Sequence, residues 1–462
     1  MNSKTERFSE YIKNKKVTLI GAGVSNMAAV DLLLSMGAVL SVRDKQENEE
    51  KRALLESKGA KVFFGEDYLK DIDEDIVFRS PGIRPDIPEI AEAQKRGAIV
   101  TSEMEVFLNI CPAKIYAVTG SDGKTTTTTL VSEMLKAKCG AQSRGKVYLG
   151  GNIGTPLLPF IRDMTEDDHV VVELSSFQLF NMSAHIDSAI ITNITPNHLN
   201  WHLDMEEYTR AKAEIFKNHT EKDRLVLNLE NDITRSFADK VKADVVLFSS
   251  KQKISGRKGI FLDGEEIVYC DGEKCFSVMS RSDIKIPGMH NVENYMAACA
   301  ALWGEVSVED MKKVARSFGG VEHRIEFVAE KDGVKYYNSS IDTSPTRTAA
   351  ALNAFDEKLI VIVGGYDKKI PLEPLAPLLS DHAKFVSATG ATGERIMNIL
   401  LEAGYPKDKI VYNKSFDDAF AAARRAAECG DIVILSPACA SFDAFKSFEA
   451  RGVYFKGLVN SL

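Results

Sequence analysis

The sequence predicts an α/β protein of three domains, each built on parallel strands with helices packed against the sheet. Three observations carry that expectation. The chain has 462 residues, and at roughly 150 residues per domain that length suggests about three domains. A strand, a glycine turn and a helix follow one another twice, at 17–34 and again at 115–135. Beyond residue 320, apolar strand-like runs alternate with helical stretches, the signature of a doubly wound parallel sheet.

The first segment opens with "KVTLIGAGVSNMAAVDLLLSMGAVLSVRD". Val17–Ile20 form a buried run, Gly21 and Gly23 allow a tight turn, and the apolar residues from Met27 to Leu34 cover a helix face. The next strand ends on Asp44. Asn26 stands where a dinucleotide fingerprint G-x-G-x-x-G needs its third glycine, so the nicotinamide signal is weak, although a helix N-terminus suits any diphosphate. "DIVFRSPGI" reads as a strand ending in the turn Ser80, Pro81, Gly82, and "AIVTSEMEVF" as strand then helix. The first domain is expected to span 1–102.

The second domain, expected over 103–319, begins with "KIYAVTGSDGKTTTTTLVSEML". A strand delivers the chain into Gly120, and a helix follows with Leu130, Val131, Met134 and Leu135 facing inward. The loop is shorter than the generic G-x-x-x-x-G-K-[ST] phosphate loop, because Val118 stands where the first glycine would be. Its chemistry is nevertheless complete: free backbone N–H groups at a helix N-terminus, the Lys124 charge, and a Thr125 hydroxyl for magnesium. Further strands are "HVVVELSS", ending on Glu173 with Ser175, Ser176 and Gln178 behind it, and "SAIITNI", with His198 beyond its end. In a parallel sheet the strand C-termini share one edge, so Glu173 and His198 can approach phosphates held at Lys124. Gly319 and Gly320 form a hinge. The third domain, over 320–462, contains the strands "KLIVIVGG", "AKFVSATG", "KIVYN" and "DIVILSPACASF".

Together the short loop and its companions resemble the Mur ligases, the ATP-dependent amino-acid ligases of peptidoglycan assembly. The likeness continues through "GGNIGTP" (150–156), "YTRAKAEIF" (208–216), "IPGMHNVENYMAA" (286–298) and "GGVEHRIEFV" (319–328). "LSPACASFDAFKSFEARG" (435–452) is similar to the branch that adds D-glutamate, and the Asn-Pro-Arg-type motif of the diamino-acid-adding branch is missing. The resemblance implies an N-terminal Rossmann-like domain for a UDP-sugar, a central P-loop ATPase-type domain and a C-terminal Rossmann-like domain for the amino acid. It implies ATP and Mg2+ as cosubstrate and cofactor, with UDP-MurNAc-L-alanine and D-glutamate as partners.

Residue by residue, the resemblance assigns ATP to Gly120, Ser121, Asp122, Gly123, Lys124, Thr125, Thr126, Asn291, Asn294 and Arg324. It places the metal on Thr125, Glu173, His198 and Lys212, the last carbamylated by carbon dioxide, and catalysis on Lys124, Glu173, His198 and Lys212. The UDP-sugar falls to Val24, Ser25, Arg43, Asp44, Ser80, Gly82 and Asn152, and D-glutamate to Thr343, Lys368, Ser441 and Phe448. The implied chemistry phosphorylates a terminal carboxylate with ATP, and the incoming amine then displaces phosphate. From spacing alone Lys212 reads as a snorkelling lysine beside a helix stripe. One loop departs from the family: "NSSIDTS" (338–344) has Ser339 and Ile341 where an aspartate and a lysine are usual, and Asp342 is expected to take over the polar contact to ATP. Asn197 and Asn200 likewise replace common acidic residues.

Three other readings compete: a nucleotide-binding module that ligates nothing, an NAD-dependent dehydrogenase, and a folylpolyglutamate-type ligase. The formal net charge of −8 and pI near 5.7 argue against a nucleic-acid partner. The charged start "MNSKTERFSEYIKNKK" has no apolar core for export, and no apolar run reaches the roughly 18 residues of a membrane span. A cytoplasmic monomer acting on small molecules is expected. The 7 cysteines, an odd number, are expected to be reduced thiols, including the pair in "CDGEKC".

Overall fold

The computed structural model describes residues 3–462, which form two compact units. One comprises the chain through Arg281 together with Glu293–Val314, the other Ser282–Val292 with Ala315–Leu462.

The first unit holds two sheets. Strands β1 (Lys16–Ile20), β2 (Val39–Asp44), β3 (Lys61–Phe64), β4 (Ile76–Arg79) and β5 (Ile99–Thr101) form a wholly parallel sheet in the order β3-β2-β1-β4-β5. The second sheet contains β6 (Lys114–Thr119), β7 (Val147–Gly151), β8 (His169–Glu173), β9 (Ser188–Ile191), β10 (Arg224–Asn228), β11 (Asp244–Ser249), β12 (Lys258–Asp263), β13 (Glu266–Asp271) and β14 (Cys275–Ser280). Its order is β14-β13-β12-β11-β10-β9-β6-β8-β7, parallel except for the β12-β13 and β13-β14 pairings. A single apolar cluster runs from Val17 and Leu33 through Phe107 and Ile161 to Leu225, joining both sheets into one unit.

That antiparallel hairpin changes one expectation. Cys270 and Cys275 are directly opposed across β13 and β14, with Cα atoms 4.1 Å apart, and form a disulfide rather than two reduced thiols. The hairpin turn brings the spacing of five residues face to face, which cysteine counting cannot anticipate. The other five cysteines are free.

The second unit has the sheet β15 (Glu326–Lys331), β16 (Val334–Asn338), β17 (Leu359–Gly364), β18 (Ala383–Thr389), β19 (Ile410–Asn413) and β20 (Ile432–Leu435), in the order β15-β16-β20-β17-β18-β19. Only β15 is antiparallel. The central strands are fully buried, as β17 "LIVIVG" is at all positions, because helices cover both faces. Among the described residues, no helix is long and apolar enough to cross a membrane.

Each strand order contains a point where connections leave in opposite directions, and there the carboxyl ends of adjacent strands open a crevice. In the first sheet it lies between β1 and β4, hence between the Gly21–Gly23 turn and Ser80–Gly82. In the second, β6 stands between β9 and β8, which places the 120–124 loop between Glu173 and the segment 192–195. In the third, the loops after β16, β20 and β17 share one edge.

Candidate active site

The phosphate loop is built by two glycines and a helix with no side-chain cap. Gly123 takes φ +77, and a Cβ there would sit 3.4 Å from Cγ of Asn294 and clash with its Oδ1. The close approach explains why Asn294 backs the loop, where its Oδ1 also accepts from Thr127 Oγ1 at 3.1 Å. The helix Lys124–Gln142 then starts at Gly123 with its first amides uncapped by any side chain, the arrangement that receives phosphate. Its threonine run, poor in helix propensity, is accommodated by back-bonding: Thr128 and Thr129 hydroxyls donate to the carbonyls of Lys124 and Thr125, both at 2.8 Å.

Neighbouring strand ends lock this loop. Asn193 Oδ1 accepts from the Asp122 amide at 2.9 Å, Thr192 donates to the Asp122 carbonyl, and Ser121 Oγ donates to the Thr195 carbonyl at 3.0 Å while meeting Tyr208 Oη at 3.0 Å. Ser121 and Asp122 therefore shape the loop through their backbone and hydroxyl. Lys124 Nζ folds onto the carbonyls of Gly120 (3.1 Å) and Ser121 (2.9 Å). Thr126 is buried behind the loop.

Glu173, 1 % exposed at the end of the fully buried β8, accepts from Thr125 Oγ1 at 2.7 Å and from Asn152 Nδ2 at 2.7 Å. A carboxylate and a hydroxyl thus converge beside the loop, a donor pair suited to a hard cation. Asn152 stands on this carboxylate. Ser175 is spent on a capping box with Gln178, and Ser176 meets His202 Nε2 at 2.9 Å.

Lys212 does not snorkel. Its side chain is 1 % exposed, its ammonium lies 2.7 Å from the Gly120 carbonyl and 4.8 Å from the Tyr208 ring centroid, and burial followed by the Lys124 charge pushes its pKa well below the ordinary lysine value. The helix Met205–Ala213 turns that face onto the loop, so the stripe of apolar positions lies beside a functional group and not beside solvent. His198 is exposed, with φ +56, and packs edge-on against Phe177 at 4.9 Å. Desolvation, then Lys124 and Lys212, lower its pKa and favour the neutral ring.

Around the first crevice, Val24 is exposed and opens the helix Val24–Ser35, with Ser25 half-buried beside it. Asn26 explains the missing third glycine: its amide donates to the carbonyls of Ile20 (3.1 Å) and Gly21 (2.9 Å) and reaches Ser80 Oγ (3.3 Å), tying the two crevice loops together. Asp44 holds the Ala22 amide at 2.6 Å. Arg43 is not available to a ligand. It is 2 % exposed, and all five donors are spent on Thr18, the carbonyls of Tyr68, Lys70 and Asp71, and a buried ion pair with Glu74 at 3.0 Å. Alternation along β2 turns it away from the strand end. Lys51, not singled out by sequence, instead brings its ammonium to the Ala22 carbonyl at 2.8 Å.

A further cluster escaped sequence reading. Arg84 forms a two-pronged pair with Glu207 (2.9 and 3.0 Å), donates to the Trp201 carbonyl, and holds Glu207 down to about 2. Trp201 Nε1 in turn donates to the Gly82 carbonyl at 3.1 Å. These contacts fasten the His198 loop to the first crevice. The signal was scattered, with Trp201 and Glu207 lying 117 and 123 positions from Arg84, and so was invisible to a local motif search.

In the second unit, Lys368 Nζ meets Thr343 Oγ1 at 3.1 Å, so these two are brought together. Ser441, 1 % exposed, has a hydroxyl with no hydrogen-bond partner, a site that suits an incoming polar group. Phe448 begins the helix Phe448–Asn460, and its carbonyl accepts from Ser340. Asn291 donates to the Pro287 carbonyl, and the Arg324 amide donates to the Val321 carbonyl. Asp342 does not take over a nucleotide contact. It is 5 % exposed and turned inward to Ser436 Oγ at 2.8 Å, because the 338–344 loop packs into the unit's interior.

Comparison with known proteins agrees with this geometry. Residues 15–102 match a Mur ligase MurD-like N-terminal domain, 118–302 the Mur ligase middle domain and 323–439 the Mur ligase glutamate ligase domain. Proteins named UDP-N-acetylmuramoylalanine--D-glutamate ligase from Acetivibrio thermocellus and Ruminiclostridium cellulolyticum are 48% and 46% identical, each over 100% of both chains. In fold, the chain resembles the UDP-N-acetylmuramate-alanine ligase of Thermotoga maritima (TM-score 0.56, 20% identity, covering 97% of this chain and 100% of that one). It also resembles a UDP-N-acetylmuramoyl-L-alanyl-D-glutamate--2,6-diaminopimelate ligase (TM-score 0.57, 17% identity, 98% and 94% covered). With a phosphate loop of the short form, its carboxylate and its buried lysine at one strand edge, and this identity over the full length, the chain belongs to the Mur ligase family.

Proposed function

We propose that the chain joins D-glutamate to UDP-N-acetylmuramoyl-L-alanine at the expense of ATP, in the cytoplasmic synthesis of peptidoglycan precursors. The observation that carries the reading is the phosphate loop with Thr125 paired to Glu173 at 2.7 Å and the Lys212 amine 2.7 Å from Gly120. The names of full-length relatives at 46–48% identity support the acceptor and the sugar nucleotide.

A carboxylate resists attack by an amine, since its oxygen is a poor leaving group. Transfer of the ATP γ-phosphate to the terminal carboxylate gives an acyl phosphate, and the D-glutamate amine then expels phosphate. Uncapped amides at 123–125 and the Lys124 charge hold the phosphates and offset charge that grows during transfer. Thr125 and Glu173 would hold Mg2+, with His198 and Lys212, the latter as its carbamate, as further ligands, and the ion would supply charge neutralisation to the phosphates. His198 stays neutral and can orient a phosphate oxygen or water. A buried amine that loses its proton easily can add carbon dioxide, which supports a carbamate on Lys212. Asn291, Asn294 and Arg324 are assigned to the nucleotide, and Val24, Ser25, Asp44, Ser80 and Gly82 to the sugar nucleotide, with Asn152 linking that substrate to Glu173. Lys368, Thr343, Ser441 and Phe448 are assigned to D-glutamate. The functional segments are 1–102, 103–319 and 320–462, in a monomer.

A phosphate-release assay with UDP-MurNAc-L-alanine and a panel of amino acids tests the reading. Release should depend on D-glutamate, and Ser441→Ala and Lys368→Ala should raise KM for D-glutamate far more than KM for ATP. Release without an amino acid, or with folate substrates instead, would overturn it.

A further inference from the structure

One continuous set of side chains joins the Ser80–Gly82 turn to the phosphate loop, and Arg84 stands at its centre. All five guanidinium donors are engaged. Nη1 donates to Glu207 Oε1 and to the Trp201 carbonyl, both at 2.9 Å, Nη2 to Glu207 Oε2 at 3.0 Å and Asp86 Oδ2 at 2.7 Å, and Nε to Asp86 Oδ1 at 2.8 Å. Asp86 is exposed and Glu207 is buried, so the pair with Glu207 is the one that fixes the guanidinium.

The two ends of the set lie on groups assigned to different ligands. On one side, Trp201 Nε1 donates to the Gly82 carbonyl at 3.1 Å. The indole is held there by Arg84, 4.9 Å from its ring, and by edge contacts with Phe177 and Phe180 at 4.9 and 5.3 Å. On the other side, Glu207 lies in the first turn of the helix Met205–Ala213. Its carboxylate also accepts from the Leu203 amide at 3.2 Å and from His202 Nδ1 at 3.3 Å. A carboxylate only accepts, so the ring proton sits on Nδ1, and Nε2 accepts from Ser176 Oγ at 2.9 Å.

The same helix then meets the phosphate loop twice. Tyr208 Oη lies 3.0 Å from Ser121 Oγ, and Lys212 reaches the Gly120 carbonyl at 2.7 Å. Glu207 and Lys212 are five positions apart, about 7.5 Å along the axis at 1.5 Å per residue. A shift imposed on the carboxylate is therefore delivered to the amine by a single stiff element.

We propose, resting on the function assigned above, that Arg84 is a positioning residue for the ligation, coupling occupation of the sugar-nucleotide crevice to the placement of Lys212 against the phosphate loop. A ligand that settles on the Gly82 turn fixes Trp201, and through Arg84 it fixes Glu207 and the helix. By reciprocity, a nucleotide that seats Lys212 favours the same arrangement at Gly82. The planar fork is what makes the link: lysine, a point charge, holds Glu207 without also holding the Trp201 carbonyl.

The test uses the full chain in two arms. In the first, UDP-MurNAc-L-alanine binding is measured by calorimetry without and with a non-hydrolysable ATP analogue and Mg2+. In the wild type each ligand should tighten the other about fivefold or more, a usual size for coupled sites. Arg84→Lys keeps a cation against Glu207, and Trp201→Phe keeps a ring but loses the bond to Gly82. Both should bring the factor below about twofold while leaving the affinity for the ATP analogue alone unchanged. The second arm needs no sugar nucleotide. The chain has 2 tryptophans, Trp201 and Trp303, so in a Trp303→Phe background the emission reports Trp201. It should shift when the ATP analogue and Mg2+ bind, and Arg84→Lys should abolish the shift. A wild type that binds no sugar nucleotide refutes the assigned function, and the second arm then decides on Arg84 by itself. Absence of linkage in a wild type that binds both ligands, or linkage that survives both substitutions, would overturn the proposal. Trp201 emission that ignores the ATP analogue, or responds equally in Arg84→Lys, would do the same, and a lowered thermal midpoint with linkage intact would show a structural strut only.

Discussion

Replacing Asp342 with asparagine should stabilise the second unit at neutral pH and leave it unchanged in acid. Burial pushes the Asp342 carboxyl up to about 6 from an ordinary 3.8, against smaller opposing contributions from the hydroxyls of Ser339 and Ser436 and the charges of Arg324 and Arg347. The folded state therefore binds the proton more tightly than the unfolded state between those two values. Stability falls as pH rises through that window and then stays level, since both states are ionised above it. At about 1.4 kcal/mol per pH unit, the interval is worth about 3 kcal/mol. Asparagine keeps an oxygen for the Ser436 hydroxyl, and its amide can donate to Ser339, so little is lost in exchange. Urea unfolding of both proteins at pH 4, 5, 6 and 7 gives the difference directly, with other carboxylates cancelling. The difference should be near zero at pH 4 and should grow to about 3 kcal/mol in favour of Asn by pH 7. A constant difference, or an asparagine variant less stable at pH 7, would refute the idea that this buried carboxylate is held at a cost.

Three further outcomes follow from the site. Lys124→Ala should lower turnover about 10²–10³-fold with the thermal midpoint unchanged, because its charge acts on transferring phosphate; near-normal phosphate release would remove it from the chemistry. Lys212→Met, which fills similar volume without an amine, should be as inactive, and Lys212→Ala should recover part of its turnover with added small carboxylic acids; failure of both would leave the buried lysine a structural strut. Arg43→Leu should cost about 3–5 kcal/mol in unfolding experiments, since it strands Glu74 in the interior, while leaving KM for the sugar nucleotide unchanged in whatever protein folds; a selective rise in that KM would restore Arg43 to the substrate.

Local sequence was enough wherever a property is set by neighbours along the chain. The strand runs at 17–20, 115–118 and 359–364, the glycine-led phosphate loop and the parallel-rich class all follow from apolar periodicity and backbone freedom, and the structure has them. It was also enough to expect Lys124, Thr125 and Glu173 side by side, because strand ends in a parallel sheet share an edge, and Thr125 Oγ1 lies 2.7 Å from the Glu173 carboxylate. Whether a side chain faces a ligand or the interior was decided only in three dimensions. Arg43 lies at a strand end, but it is enclosed by carbonyls 25 to 28 residues away. Asp342 turns toward Ser436, 94 residues on, and Cys270 meets Cys275 because a hairpin folds there. Lys212 looked like a solvated lysine from its spacing, and becomes a buried amine only when its helix docks on Gly120. Burial and long-range pairing are sums over distant contacts, so they set charge state and availability after the elements have formed.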